Sequence, residues 1–245
     1  MKRILIIAVP LLAIAAACAP VLPGAPVDQP SEQPAPTSPL PGQEEPSPVE
    51  VAVIKQLAGN LGLESSQIFV VSNTQVEFSD ACLGVTLQDV MCAEVITPGH
   101  VIVLEANDVQ YEYHTSEDGA RIQPAMLALT WKREGGLAGF CDSLTVFLSG
   151  EVYGNRCAPV ADGRMSTFAS MLSSPEQARF QNWIMHYGQL SVDASDPKGV
   201  SDRMVVTLSL AGTGNQAILS SSEEQALLEF ARSLYQKLYE QDPVK

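Results

Sequence analysis

Residues 127–148 read LALTWKREGGLAGFCDSLTVFL. Leu127, Leu129 and Trp131 alternate with other residues, the period-two pattern of a strand with one buried face. Gly135-Gly136 breaks that pattern, Ala138-Gly139 prolongs the break, and residues 143–148 return as a second apolar run. Glycine tolerates positive φ and close backbone approach, so a cluster of it between two strands reads as a tight turn. The stretch is predicted to form an antiparallel hairpin, followed by another short strand from Gly150 to Tyr153.

Downstream the period changes. Phe180, Trp183, Ile184 and Tyr187 fall at i, i+3, i+4 and i+7, the stripe of a core-facing helix. Its start is expected at Ser174, with Pro175 in the first turn and Gln177 completing a capping box. A polar loop over residues 193–202 leads to a strand over 204–210, and Gly212 and Gly214 mark a turn before residues 216–219. The last helix is expected from Ser221 or Ser222. Glu223 and Glu224 sit near its positive end, and Leu227, Phe230, Ala231, Leu234 and Leu238 face the core.

Upstream, residues 48–61 read as a helix with Val51, Ile54, Leu57, Ala58 and Leu61 on one face and Gly62 at its end. Two β-rich runs follow, 67–71 and 75–78. A hairpin then joins residues 100–105, with Val101, Val103 and Glu105 on one side, to residues 110–115 through an Asn107-Asp108 turn. The fold class is α+β: two small modules, 49–123 and 124–245, each an antiparallel sheet with packed helices.

The chain before residue 49 has a different composition. Lys2 and Arg3, then an apolar run over residues 4–17, read as a signal peptide over residues 1–17. Residues 18–48 read as a linker. Ten of the seventeen prolines lie between Ala19 and Val49, a segment unable to bury enough surface to offset its ordering entropy. Such a stalk is predicted to be disordered yet semi-rigid, reaching roughly 90 Å at about 3.1 Å per residue.

Five cysteines remain to be placed. An exported chain meets oxidising conditions, and four cysteines admit three pairings. Spacing favours Cys82 with Cys92 and Cys141 with Cys157. Zinc finds no C-x-x-C pair and no suitably spaced histidine. The net charge of −14 does not suit a nucleic-acid partner, whose phosphates demand Lys and Arg, and argues against lying flat on an anionic membrane.

Three resemblances add expectations. Ala15-Ala16-Ala17-Cys18 resembles a lipobox, which implies a bacterial lipoprotein with Cys18 lipidated and the protein held at the cell envelope, outside the cytoplasm. Asp80-Ala81-Cys82-Leu83-Gly84, Met91-Cys92-Ala93, Ile96-Thr97-Pro98-Gly99 and Tyr111-Glu112-Tyr113-His114-Thr115 look like a recurrent module of exported bacterial proteins, which adds architecture only. Arg133-Glu134-Gly135-Gly136-Leu137-Ala138-Gly139-Phe140 resembles the glycine signature of emfourin-like inhibitors of thermolysin-type metalloproteases. Leu137 stands where that signature has Phe. The likeness covers the second module and implies a partner contact at Gly135, Gly136, Leu137, Ala138, Gly139 and Phe140, with a secreted metalloprotease or another protein as partner.

No catalytic signature accompanies these elements: no G-x-S-x-G, H-E-x-x-H or phosphate-binding glycine loop. His100, His114 and His186 are scattered, and Asp193, Asp196 and Asp202 lack calcium-loop spacing. The expected function is a surface-anchored, non-enzymatic binding module, acting as a protease inhibitor, with no cofactor and no metal. The alternatives are an envelope scaffold or ligand-binding lipoprotein, and a hydrolase with an unfamiliar site.

Overall fold

The computed structural model describes residues 45–86, 90–156 and 166–240, all within the compact unit Glu44–Lys245. The expected signal peptide, Cys18, the expected linker up to residue 44, and Cys157 lie outside the described residues, while Ser47 and Pro48 at the end of that linker open the first helix. No helix among the described residues is long and apolar enough to cross a membrane.

The class is α+β, two antiparallel sheets with three helices. Helix α1 (Pro48–Leu61) and a 3-10 turn (Ser65–Gln67) precede strands β1 (Phe69–Phe78), β2 (Thr97–Ala106), β3 (Val109–Ser116) and β4 (Ile122–Pro124), which form one sheet in sequence order. Strands β5 (Leu127–Gly135), β6 (Phe140–Phe147), β7 (Glu151–Arg156) and β8 (Ser166–Met171) follow. Helix α2 (Ser174–His186), β9 (Gln189–Asp193), β10 (Met204–Ala211) and helix α3 (Ser221–Glu240) complete the chain. The second sheet runs β8-β7-β6-β5-β10-β9. It is a four-strand meander with a later pair laid against the free edge of β5.

Each helix starts where its sequence supplies a serine and, three residues on, a glutamate. The Ser47 N–H donates to Glu50 Oε2 at 2.6 Å, and Pro48 fills the first turn. The Ser173 N–H donates to Glu176 at 2.6 Å, and the Ser220 N–H to Glu223 at 3.1 Å. The reciprocal bonding satisfies amides that a helix start leaves bare. Helix α2 begins at Ser174 as its pattern predicts, but the cap is Ser173 and its partner Glu176. Serine occupies both positions, and only the earlier one has a glutamate three residues on.

Four details depart from the periodicity, the first on α1, where Val51 is exposed and Val53 is buried in its place beside Ile54, Leu57 and Ala58. The runs 67–71 and 75–78 merge into the single strand β1, with a bulge between Val70 and Ser72. On β2 it is Ile102, Leu104 and Ala106 that are buried, the set opposite to Val101 and Val103. A second bulge between Leu127 and Leu129 turns Leu127 outward and buries Ala128 beside Leu129 and Trp131. Strands β4, β8 and β9 lie outside the runs read from the sequence, although Leu190 and Val192 of β9 alternate inward over its five residues.

One continuous apolar cluster runs from Val53 of α1, through Ile102 and Tyr113 of the first sheet and Leu129 and Leu144 of the second, to Leu238 of α3. Helices α2 and α3 meet through rings, with Trp183 edge-on to Phe230 at 5.1 Å. On α3 the buried set is Leu227, Phe230, Ala231, Leu234, Tyr235 and Leu238, a helical stripe.

The two sheets are also joined by a polar knot. Glu151, 6% exposed at the start of β7, accepts hydrogen bonds from Asn60 of α1 at 2.6 Å and Gln56 at 3.2 Å. It accepts from the Tyr113 hydroxyl at 3.1 Å and from the Ser149 hydroxyl as well. Burial, and then this carboxylate, pushes the Tyr113 phenol well above its ordinary pKa.

Candidate functional site

The β5–β6 hairpin and the cavity beside it form the best-built surface feature. At the hairpin base Gly135 has φ 86° and Gly136 φ 72°, backbone states that suit glycine. A Cβ on Gly135 would stand 2.4 Å from the Arg203 carbonyl oxygen, and the Gly136 N–H donates to that same oxygen at 3.2 Å. The glycine pair thus does more than turn the chain: it lets the loop before β10 clamp the hairpin root. Gly139 closes the turn by donating to the Gly136 carbonyl at 3.0 Å.

The six residues of the glycine signature divide by position. Gly135 and Gly136 are half-buried at the root. Leu137, Ala138 and Gly139 form the exposed tip, with Leu137 91% exposed. Phe140 is half-buried, its ring under the Arg133 guanidinium at 4.0 Å. Cys141 is disulfide-bonded, while its expected partner Cys157 lies outside the described residues. Cys82 and Cys92 form a disulfide as expected.

Beside the tip opens a cavity of about 630 Å³ between β5, β6, β7 and α3. Trp131, Phe140, Tyr235 and Tyr239 give it aromatic walls. Across the strands Arg133 stands opposite Asp142, and Asp142 opposite Arg156, so the three form one row on one face of the sheet. Asp142, 5% exposed, accepts from Arg133 through Nε at 2.9 Å and through Nη2, and from the Tyr235 hydroxyl at 2.6 Å. Burial, and then that bond to Asp142, pushes the Tyr235 phenol well above its ordinary pKa. The Arg156 guanidinium lies 4.6 Å from the Tyr239 ring, and Arg232 contributes a further cation at the cavity.

Sequence reasoning reached the hairpin and missed the cavity. Arg232, Tyr235, Gln236 and Tyr239 are spaced i, i+3, i+4 and i+7, a second stripe on α3 beside the apolar one. That spacing was the available signal. Asp142 and Arg156 carried none, because only strand register brings them together.

The other sequence candidates do not converge. His100 bonds Asn73 at 2.9 Å, while His114 bonds Glu112 and the Leu83 carbonyl and stacks on Phe78 at 5.0 Å. His186 packs edge-on against Tyr187. The Asp193 carboxylate accepts from the Ser195 amide at 3.0 Å and Asp196 from the Met204 amide at 2.9 Å, so both shape their loop. Among the described residues Asp80, Cys82 and Cys92 are the group close enough to share a metal ion, and both cysteines are spent in the disulfide.

Residues 50–124 match a family described as a domain of unknown function, DUF8738. The match spans α1 and the first sheet and stops before the hairpin. Neither curated proteins nor solved structures give a match.

Proposed function

We propose that this chain is a lipoprotein of the bacterial cell envelope, anchored outside the cytoplasm through lipid on Cys18, that binds a protein partner without catalysing a reaction. In this reading a proline-rich stalk carries two small α+β modules away from the membrane. The second module meets the partner through Gly135, Gly136, Leu137, Ala138, Gly139 and Phe140. The partner class, a secreted thermolysin-type metalloprotease, comes from the likeness of the glycine signature to emfourin-like inhibitors.

The observation that favours it is the braced tip. Leu137 is 91% exposed, while the residues on either side are held by the Arg203 carbonyl, the Arg133–Asp142 pair and the Cys141 disulfide. An apolar side chain on a loop already fixed in shape loses little conformational freedom on binding, so more contact energy appears as affinity. The expected result is that the full chain slows a thermolysin-type protease and survives incubation with it, whereas Leu137→Asp weakens inhibition about a hundredfold, as loss of a central hot spot of about 2–3 kcal/mol does. Inhibition by Leu137→Asp equal to that of the parent would sink the reading, as would rapid digestion of the parent chain.

A second reading, a ligand-binding envelope lipoprotein, draws support from the cavity behind the tip, whose size falls in the range of small-molecule sites.

A further inference from the structure

We infer that the cavity between β5, β6, β7 and α3 is a binding site for a small organic carboxylate with a flat apolar body. The first ground is charge. The chain carries −14 overall, yet three of its eight arginines, Arg133, Arg156 and Arg232, line this one cavity. Among the described residues Asp142 is the lone acid on the wall, and its two oxygens are already engaged by Arg133 and Tyr235. Arg133 is thereby matched. Arg232 has an exposed contact with Glu229 at 3.3 Å, a kind of pairing that contributes little. Arg156 and Arg232 leave the cavity with a surplus of positive charge that one small anion would offset.

The second ground is shape. Four aromatic rings line the cavity, Arg133 stacks on Phe140 and Arg156 on Tyr239. A guanidinium held over a ring still presents its donors in one plane, where a two-oxygen carboxylate fits as a fork. The rings are themselves flat surfaces, suited to an aromatic or fused-ring body. A volume of about 630 Å³ leaves room for such a molecule. With Arg232 beside Glu229, Arg133 and Arg156 flank the single carboxylate of Asp142, a surplus of one charge that a singly charged head balances better than a doubly charged phosphate.

The third ground is burial. Trp131 is 2% exposed and Asp142 5%, so the cavity floor is buried, where a charge-assisted bond counts for more than at the surface. The ligand does not require a protease partner, and the hairpin tip residue Leu137 takes no part in the lining.

The experiment is calorimetric titration of the full chain, without protease, with 2-naphthoate, its neutral counterpart 2-naphthamide, and 2-naphthyl phosphate. The expected order is naphthoate tightest, with naphthamide weaker by about tenfold or more, the loss that follows removal of one charge-assisted pair. Arg156→Gln should weaken naphthoate about tenfold and Arg232→Gln by a smaller factor, with unchanged melting temperature in the exposed Arg232 variant. A shift of the Trp131 indole resonance on adding naphthoate places the ligand in this cavity. Equal affinity for naphthamide, tighter binding of the phosphate, unaltered affinity in both arginine variants, or no binding of any probe each overturns the inference. Because the protease is absent, either outcome leaves the inhibition reading to its own assay.

Discussion

Glu151 and Asp142 are both buried carboxylates, on neighbouring strands of the same sheet, yet one lies in a closed knot and the other on the wall of a cavity. Glu151 is surrounded by neutral donors: two amides from α1 and two hydroxyls, from Tyr113 and Ser149. Asp142 is matched by the cation Arg133 and a single hydroxyl, with further arginines beside it. An acid held by neutral donors has its oxygens occupied by hydrogen bonds from several elements at once. Such an arrangement fixes how two sheets meet and has no capacity for a further partner. An acid inside a cluster of arginines holds one in place and leaves the cluster positive. Burial alone therefore does not separate a structural carboxylate from one at a binding site; the charge of its neighbours does.

The largest expected effect tests the closed knot. Glu151→Leu strands the Asn60, Gln56, Tyr113 and Ser149 donors at the junction of the sheets, and should lower unfolding free energy by about 3 kcal/mol or more. Urea titration measures it. Asp142→Asn should cost less, about 1–2 kcal/mol, since an amide oxygen still accepts one bond and the cavity admits water. The same change removes negative charge from the wall, so naphthoate affinity should rise while stability falls. Equal stability losses at the two sites, or weaker naphthoate binding by Asp142→Asn, would break the distinction.

The smallest expected effect concerns the helix starts. Partial burial raises Glu50 and Glu176, but hydrogen bonds at Ser47 and Ser173 more than offset it, and both lie below their ordinary range. Glu223 is pulled down to about 2, led by the Ser220 hydroxyl. A lowered folded-state pKa gives stability that is present above the unfolded value near 4.5 and is lost as pH falls through the folded value. The melting temperature should decline between about pH 4.5 and 2. In a chain carrying Glu50→Gln, Glu176→Gln and Glu223→Gln that decline should be shallower. A parallel decline in both chains would show that the caps do not set it.

Much of the fold was legible because burial leaves a period. The α1 and α3 stripes, the β2–β3 hairpin and the β5–β6 hairpin each repeat at 3.6 or 2 residues, and the Ser-x-x-Glu starts are local chemistry. The bulges in β1 and β5 were not legible, because one extra residue shifts the register without changing composition. Strands β8 and β9 are short, six and five residues, so each offers few repeats of a period from which to be read. The cavity was invisible for a different reason. Arg133, Asp142 and Arg156 are separated by 9 and 14 positions, and only the pairing of β5 with β6 and β6 with β7 sets them in one row. Tyr235 arrives from 93 residues beyond Asp142, a distance that no motif spans.

That separation also sets an order of events. The β5-β6-β7-β8 meander joins neighbours and can close locally, whereas β10 must reach back to β5 across the intervening strands and α2. Pairings between distant segments pay their loop-closure entropy before they gain contact energy, and so form late. The fourth wall of the cavity comes from α3, later still in the chain. A nascent or partly folded chain thus presents arginines on an open sheet but encloses nothing. Ligand capture becomes possible only once the final helix docks, which makes occupancy of the cavity a report on completed folding.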